Sequence, residues 1–316
     1  GPLEHTIHTA GLPIYEISKK TKLGLFAIWK MFRILRKHRI DIVHTQLFCA
    51  DLWGRIAAVF ARTKVILSTE QNPDALELRI EKISKRVLNY FTDTIVFISP
   101  AVESYYIQRL PLAKHKRVII PNGSELDHFY QKREGFSQKT IEIAVVARLV
   151  EQKGHDYLLY ALNHVRDLPW HCVFVGDGPL KMRLSEHIHQ LGLSKKVELL
   201  GTRSDVSDIM KKSDVHILPS LFEGQGIVIL EAAAAGNFII ASDTGGITQM
   251  ITDRVNGFLV KPRDVYGFAA GLEWFFSHRN EALKMSQRAQ AFVMEHFHIR
   301  EITKRYEELY VQLLKK

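Results

Sequence analysis

The sequence predicts a doubly wound α/β protein built from two units. Ten short apolar runs have the length of strands, and segments whose apolar residues recur about every 3.6 positions separate them. Strands that are apolar throughout indicate parallel sheets covered on both faces. The length of 316 residues is typical of roughly two globular domains. No uncharged apolar stretch is long enough for a membrane-spanning helix.

The predicted strands form two series along the chain. The first lies at 40–45, 64–68, 94–99 and 117–121, and the second at 141–147, 171–175, 197–200, 215–219, 238–242 and 257–260. The segment 122–140 between them is polar and carries an Asn-Gly turn signal, so we predict a linker there. Segment 300–316 has one helical apolar stripe and is expected to dock onto another element.

Composition and charge exclude several classes of protein. With 46% hydrophobic and 24% charged residues, the chain is neither disordered nor collagen-like. Its two cysteines, Cys49 and Cys172, exclude a disulfide scaffold and favour a reducing cytoplasm. Lys and Arg number 43 against 34 Asp and Glu, a net charge of +9. This surplus indicates an anionic partner: nucleic acid, an acidic membrane surface or a phosphorylated small molecule.

Ligands of parallel sheets bind at the carboxyl ends of strands, which makes two early loops candidate sites. In loop 147–154, Arg148 and Lys153 stand five positions apart before a helix, and such a pair suits a diphosphate. Two solvated loop cations are the alternative. Gly176 and Gly178 resemble the start of a dinucleotide-binding G-x-G-x-x-G, but Lys181 replaces its third glycine. We therefore predict a tight turn that approaches a ligand or begins a helix.

The strongest signal is the loop 220–226 and the apolar helix that follows it. Two glycines let the main chain turn, and N–H groups at the start of the helix are available to an anion. Two glutamates lie here with seven residues between them, and the second, in a helix that should be buried, needs a hydrogen-bond partner. A ligand hydroxyl and a structural partner both satisfy this need. The candidate residues are Glu223, Gly224, Gln225, Gly226, Ile227, Val228 and Glu231.

The chain resembles retaining glycosyltransferases of family four, the group 1 type. The second half matches that family's C-terminal domain in ARLVEQKG, FVGDGP, GTRSDV, EGQGIVILEAAAAG, ASDTGGITQMI and VNGFLV. The first half matches the N-terminal domain in DIVHTQ, STEQN, VFISPAV and VIIPNGSELDHF. The resemblance implies the GT-B architecture, two facing Rossmann-like domains with doubly wound parallel sheets.

This resemblance also implies domain boundaries. An N-terminal, acceptor-side domain is expected at 1–125, with helix 300–316 docking back onto it, and a nucleotide-sugar-binding domain at 136–298. In the family, a strand, a Gly-rich loop, a helix and a second strand precede the segment that resembles AGLPIYEIS. The N-terminal domain is therefore expected to lack its first strand-loop-helix-strand unit.

The resemblance assigns roles on the donor side. Arg148 and Lys153 would hold the donor diphosphate, Glu223 would contact the donor sugar hydroxyls, and Glu231 would bind the ribose hydroxyls. The amides of Gly226 to Val228 would receive phosphate or sugar oxygens. The family needs neither a metal nor another cofactor, and retention is attributed to attack on the same face as the leaving group. The main chain around Gly201 and Arg203 would line the base pocket. The remaining donor-side candidates are Gly176 and Gly178.

The acceptor side departs from the family at two positions. Members often have histidine where this chain has Gln71, and another histidine two positions after His44, where this chain has Gln46. Glutamine can hydrogen-bond a sugar hydroxyl but does not become cationic near pH 7. We expect these three residues to line the acceptor side, with weaker electrostatics than in the family.

Eight cations cluster near the N-terminus, with no acidic residue between 17 and 40: Lys19, Lys20, Lys22, Lys30, Arg33, Arg36, Lys37 and Arg39. On a helix at 24–39, three of them form a stripe with Phe26, and the face opposite is predicted to carry Leu25, Ile28, Trp29, Phe32 and Leu35. Such a helix can lie on an anionic membrane. A crossover helix that covers its own sheet and has a solvated basic edge is the alternative. No motif with interleaved aromatic residues supports a nucleic-acid partner.

Together these features predict a retaining, metal-independent glycosyltransferase at the cytoplasmic membrane face. It would move a hexose or N-acetylhexosamine from a nucleotide sugar to a lipid-linked or polysaccharide acceptor. The alternatives are a catalytically inactive or truncated GT-B protein that binds nucleotide sugars, and another GT-B enzyme such as a sugar-nucleotide epimerase.

Overall fold

The computed structural model of the protein describes residues 4–17, 24–71 and 79–315. The chain divides into two compact units. Unit 1 comprises Gly1–Val96, Tyr106–Val118 and Tyr310–Lys316, and unit 2 comprises Phe97–Tyr105 and Ile119–Leu309. Lys19, Lys20 and Lys22 of the predicted basic cluster lie outside the described residues.

The elements alternate along the chain as the sequence predicts. The helices are α1 Glu4–Thr9, α2 Leu25–Lys37, α3 Phe48–Ala61, α4 Arg79–Phe91, α5 Pro100–Arg109, α6 His155–His164, α7 Lys181–Gln190, α8 Val206–Lys212, α9 Ile227–Ala234, α10 Val265–Ser277, α11 Arg279–His296 and α12 Ile299–Leu314. The strands are β1 Ile42–Gln46, β2 Val65–Glu70, β3 Thr94–Phe97, β4 Arg117–Ile119, β5 Ile141–Val146, β6 Trp170–Val175, β7 Val197–Gly201, β8 Val215–Leu218, β9 Phe238–Ser242 and β10 Phe258–Val260. All ten predicted strands are present in the described part of the chain.

Unit 2 is built on a six-stranded parallel sheet in the order β10-β9-β8-β5-β6-β7. One hydrophobic cluster joins the sheet to α6, α7 and α10, and a second joins it to α8, α9 and α11. Helices therefore cover both faces, which explains why β8 and β9 are buried along their whole length. The polar segment after β4 contributes Leu126 and Phe136 to these cores.

Unit 1 contains a sheet in the order β1-β2-β3-β4, in which β1 and β2 run parallel. Its interior holds charged residues that hydrophobic patterning does not reveal. Arg55 is fully buried and forms an ion pair with Asp51 one helical turn earlier. The hydroxyls of Thr45 and Ser68 donate to the same carboxylate at 2.8 and 2.6 Å. Because Asp51 is paired with a cation and accepts two hydroxyl hydrogen bonds, its charge can persist in a low-dielectric interior.

Helix α2 differs from the prediction in which residues it buries. Ala27 is buried, whereas Leu25 and Trp29, expected on the covered face, are 65% and 51% exposed. The Arg33 guanidinium lies 4.8 Å from the centre of the Trp29 ring. The apolar and basic side chains of α2 therefore meet at one exposed surface. No helix of the described segments is both long and apolar enough to cross a membrane.

Candidate functional site

The strand order of unit 2 brings the predicted donor-side loops to one edge of its sheet. Strands β8, β5, β6 and β7 are adjacent and parallel. The loops that follow them therefore leave the sheet at the same edge, where parallel sheets bind ligands. These loops contain the predicted donor-side residues from Arg148 to Gly226.

Lys153 and Glu223 form an ion pair between the loops that follow β5 and β8. Lys153 ends a 3-10 turn that stops at Gly154, where φ is +65°. A Cβ at that position would lie 2.1 Å from the carbonyl oxygen of Pro219, so glycine allows the loops to touch. The Ser220 hydroxyl donates to the same Glu223 oxygen at 2.8 Å. The other carboxylate oxygen accepts no hydrogen bond from the described residues and is available to a ligand.

The main chain around Glu223 is held from two sides. The N–H of Leu221 donates to the carbonyl of Gln152 at 2.8 Å, and the Gln152 side-chain amide donates to the carbonyl of Phe222 at 3.0 Å. Gly245 has φ of +57°, and a Cβ there would lie 1.7 Å from the carbonyl oxygen of Glu223. The position of this carboxylate therefore depends on close main-chain packing, which supports a preorganised site.

Gly176 and Gly178 let the loop after β6 pack against the main chain on either side of Arg148. A Cβ on Gly176 would lie 2.0 Å from the carbonyl oxygen of Ala147, and one on Gly178 would lie 2.4 Å from that of Leu149. Arg148 is exposed, and its side chain makes no hydrogen bond or ion pair with any described residue. The loop therefore presents an unpaired cation at the sheet edge.

Helix α9 begins at this edge with an uncapped N-terminus. Gly226 precedes it with φ of +84°, and no side chain of the described chain caps its first turn. The first N–H groups of an α-helix have no acceptor within the helix. Those of Ile227 and Val228, with the positive end of the helix dipole, are suited to an anion.

Glu231 lies one turn into α9 and is half-buried. The Ser124 hydroxyl donates to one of its carboxylate oxygens at 3.2 Å, and the other accepts no hydrogen bond from a described residue. Burial raises the pKa of Glu231, and the Ser124 hydrogen bond opposes that shift. Ser124 and Ser220 thus make equivalent contacts to the two glutamates. Sequence reasoning missed both serines, although Ser220 directly follows the predicted strand that leads to Glu223.

Two of the predicted donor-side side chains are occupied by protein partners. The Arg203 guanidinium makes two hydrogen bonds to Asp205, at 2.8 and 2.7 Å. Gln225 is 2% exposed, and its amide bonds the main chain of Asn122. Gly201 has φ of +67° and accepts a hydrogen bond from the N–H of Gly176 at 2.8 Å. The Arg203 side chain and the carbonyl of Gly201 are therefore both bonded to other parts of the protein.

Of the three residues predicted for the acceptor side, unit 1 brings Gln46 and Gln71 together and gives His44 other partners. The Gln71 amide donates to the Gln46 carbonyl oxygen at 3.2 Å, at the carboxyl ends of β1 and β2. The two ring nitrogens of His44 lie 2.7 Å from the hydroxyls of Tyr310 and Thr69. Burial lowers the pKa of His44 to about 4, so the ring is neutral at pH 7. His44 therefore supports the neighbouring side chains and carries no charge.

A buried ion pair that the sequence analysis missed stands next to Gln71. Lys85 on α4 donates to both carboxylate oxygens of Glu70 at 2.5 and 2.6 Å. Burial raises the pKa of Glu70, and the charge of Lys85 opposes that shift. The available signal was helical spacing, because Lys85 lies three positions before the buried Leu88 and so shares its helix face. The pair anchors the end of β2 from which Gln71 extends.

Comparison with known families identifies the class of protein. The family model described as glycosyl transferases group 1 matches residues 127–292, more than half of the chain. The chain belongs to this family. The model of glycosyltransferase family 4 matches residues 1–128. This glycosyltransferase has the GT-B fold, as the resemblance implied.

Individual relatives and solved structures agree with this assignment. The UDP-Gal:α-D-GlcNAc-diphosphoundecaprenol α-1,3-galactosyltransferase of Escherichia coli is 28% identical over 305 residues, 90% of this chain and 78% of that protein. The gpi3 subunit of the Schizosaccharomyces pombe phosphatidylinositol N-acetylglucosaminyltransferase is 25% identical over 78% of this chain and 56% of its own length. A Rickettsia africae glycosyltransferase structure has a TM-score of 0.88 at 23% identity, covering 100% of this chain and 89% of that one. Anabaena HepE in complex with UDP has a TM-score of 0.87 at 21% identity, covering 99% and 90%.

Proposed function

We propose that this glycosyltransferase moves a hexosyl or N-acetylhexosaminyl group from a nucleotide sugar to a lipid-linked or polysaccharide acceptor, with retention and without a metal. The observation that carries the proposal is the pair of glutamates at the edge of the unit 2 sheet. Glu223 and Glu231 each have one carboxylate oxygen bonded to a serine and one without a described partner. Two carboxylates prepared in this way suit two sets of ligand hydroxyls.

The surrounding groups supply the charges that a diphosphate requires. Lys153 and the exposed Arg148 contribute two cations, and the first turn of α9 contributes free N–H groups. In this proposal these groups bind the diphosphate, Glu223 binds the sugar and Glu231 binds the ribose diol. The main chain near Gly201 lines the base pocket. Arg and helix N-termini are well matched to phosphate oxygens.

The chemistry follows from these roles. The acceptor hydroxyl oxygen attacks the anomeric carbon on the face from which the diphosphate leaves, so the configuration is retained. The bond between the anomeric carbon and the diphosphate oxygen breaks, and the acceptor proton passes to the departing diphosphate. Arg148 and Lys153 stabilise the negative charge that develops on the leaving group. No metal participates in this scheme.

The relatives suggest which substrates to test first. The E. coli relative is a UDP-Gal-dependent enzyme acting on a diphosphoundecaprenol-linked sugar, and the structurally similar HepE is known in complex with UDP and with UDP-glucose. A UDP-sugar donor and a polyprenyl-diphosphate acceptor are therefore the first pair to examine. Analysis of the product identifies the sugar transferred and the linkage formed.

Nucleotide binding tests this proposal directly. Thermal unfolding is measured with UDP, GDP and ADP, each near 100 times its Kd. A ligand that binds only the folded protein then stabilises it by about 2.7 kcal/mol. That corresponds to a rise in Tm of about 5–10 °C. We expect one nucleotide to produce it, and no shift with any of the three would contradict the donor site. Product analysis with the matching sugar nucleotide then separates transfer from epimerisation or simple binding.

We also propose that α2 holds the protein on an anionic membrane, near a lipid-linked acceptor. Leu25, Phe26 and Trp29 are exposed beside the exposed cations Arg33 and Lys37. Apolar side chains enter the headgroup region, and each cation near an anionic surface contributes about 1 kcal/mol. This combination supports the membrane hypothesis over a fully covered crossover helix.

Vesicle sedimentation tests this membrane contact. With vesicles containing anionic phosphatidylglycerol, Arg33→Glu/Lys37→Glu is expected to reduce binding at least about tenfold relative to the unaltered protein. Lys284→Glu/Arg288→Glu reverses two exposed charges with the same spacing on α11 and serves as the matched control. Equal binding by both double variants, or equal binding to uncharged phosphatidylcholine vesicles, would contradict the role of α2.

A further inference from the structure

The segment Asn122–Ser124 is tied to the donor-side loop by a buried glutamine. The Gln225 amide nitrogen donates to the carbonyl of Asn122 at 2.8 Å, and its amide oxygen accepts from the N–H of Asn122 at 2.7 Å. Both main-chain polar groups of one residue are thereby paired with a side chain 103 positions away. Because Gln225 is only 2% exposed, this pairing, rather than contact with a ligand, accounts for its buried amide.

The same segment is held on its other side by the junction between α11 and α12. The N–H of Ser124 donates to the carbonyl of Phe297 at 3.2 Å, and the N–H of Ile299 donates to the carbonyl of Ser124 at 3.0 Å. A Cβ on Gly123 would lie 2.8 Å from Cγ1 of Ile302 and 3.1 Å from the carbonyl oxygen of Phe297. The main chain of Ser124 is therefore fixed by contacts from two directions.

Because its main chain is fixed, the Ser124 hydroxyl is held within hydrogen-bond distance of the Glu231 carboxylate. The contact of 3.2 Å is made to one carboxylate oxygen only, as Ser220 makes its contact of 2.8 Å to one oxygen of Glu223. A carboxylate with one oxygen bonded to a fixed donor has a defined orientation and one oxygen available to a ligand. Orienting such a group before the ligand arrives reduces the entropy lost on binding.

We propose that Ser124 and Gln225 are positioning residues of the donor site: Gln225 fixes the Asn122 main chain, and Ser124, placed by it, orients Glu231 toward the ribose diol of the donor nucleotide. This inference rests on the proposed function. It assigns Gln225 to support of the site, in place of the direct donor contact expected from the sequence. It also adds Ser124, which lies in the matched segment VIIPNGSELDHF but receives no role in the sequence analysis.

The test compares a nucleotide that has the diol with one that lacks it. Kd values for UDP and 2′,3′-dideoxy-UDP are measured by calorimetry for the unaltered protein, Ser124→Ala and Ser124→Thr. The unaltered protein is expected to prefer UDP by about tenfold or more, the value of a hydrogen bond to a charged group. Ser124→Ala should lose most of this preference by weakening UDP binding alone. Ser124→Thr keeps the hydroxyl and should restore the preference.

Controls separate positioning from general destabilisation. Gln225→Leu should reduce the same preference, whereas Gln287→Leu, which removes a glutamine bond to the Arg133 carbonyl at 3.2 Å, should not. Ser277→Ala, which removes an exposed hydroxyl on α10, should also leave both Kd values unchanged. If Ser124 and Gln225 served folding alone, their substitution would weaken the binding of both nucleotides equally, and that result would overturn the proposal. If UDP does not bind, the same pair of ADP or GDP analogues is used. If none of these nucleotides binds the unaltered protein, the proposed donor site fails as well.

Discussion

Replacing Lys153 by alanine is expected to lower kcat/KM for sugar transfer by about 10²–10³-fold, the usual effect of losing one group that stabilises a charged transition state. The lysine side chain is 14% exposed, and its amine contacts Glu223. Charge on a departing diphosphate is greater in the transition state than in the bound donor. The loss should therefore appear mainly in kcat, with a smaller effect on KM. Initial-rate measurements with the donor identified by nucleotide binding give both constants.

The same substitution removes the cation beside a carboxylate that is 8% exposed. Some loss of stability is therefore expected, because an unpaired buried charge is costly. The double variant Lys153→Ala/Glu223→Gln removes that charge, and its free energy of unfolding, compared with that of Lys153→Ala, shows how much stability the unpaired carboxylate costs. Lys132→Ala breaks an exposed lysine–glutamate pair of 3.1 Å and is the matched control. If Lys153→Ala keeps kcat/KM within about threefold of the control while remaining folded, Lys153 does not stabilise the leaving group.

Much of the fold could be predicted because unit 2 buries its strands on both faces. Strands such as β8 and β9 are buried along their whole length, so local apolar runs are enough to locate them. The glycines at 176 and 178 were visible as a turn. Glycine is required at these positions because the main chain approaches the carbonyls of Ala147 and Leu149 closely. Only the folded structure, which brings this neighbouring loop alongside, shows that requirement.

The residues that sequence reasoning missed depend on contacts between distant segments. Ser124 reaches Glu231 across 107 positions, and the matched segment VIIPNGSELDHF that contains this serine does not indicate its partner. Amphipathic spacing likewise separated the faces of α2, but it cannot state which face the rest of the chain covers. For this reason the sequence analysis expects Trp29 on the covered face, whereas the structure exposes it. The buried pair of Glu70 and Lys85 could not be predicted either, because charged residues are usually at the surface.

Acidification from pH 7 to pH 5 is expected to lower the free energy of unfolding by about 4 kcal/mol through two histidines of unit 2. His155 at the start of α6 and His216 in β8 are 2% and 0% exposed, and neither ring makes a hydrogen bond. Burial lowers the pKa of His155 to about 4 and that of His216 to about 3. In the unfolded chain each histidine titrates near pH 6.5. The unfolded state therefore binds more protons below that pH, and stability falls by about 2 kcal/mol per histidine at pH 5.

Urea unfolding of His155→Leu and His216→Leu at the two pH values isolates this effect. Each variant should lose about 2 kcal/mol less than the unaltered protein between pH 7 and pH 5, because one buried titration is removed. His189→Leu replaces an exposed histidine on α7 and should keep the pH dependence of the unaltered protein. Packing differences introduced by leucine change the free energy of unfolding equally at both pH values and cancel in the comparison. A pH dependence that is the same in all four proteins would mean that the two buried rings do not resist protonation in the folded state.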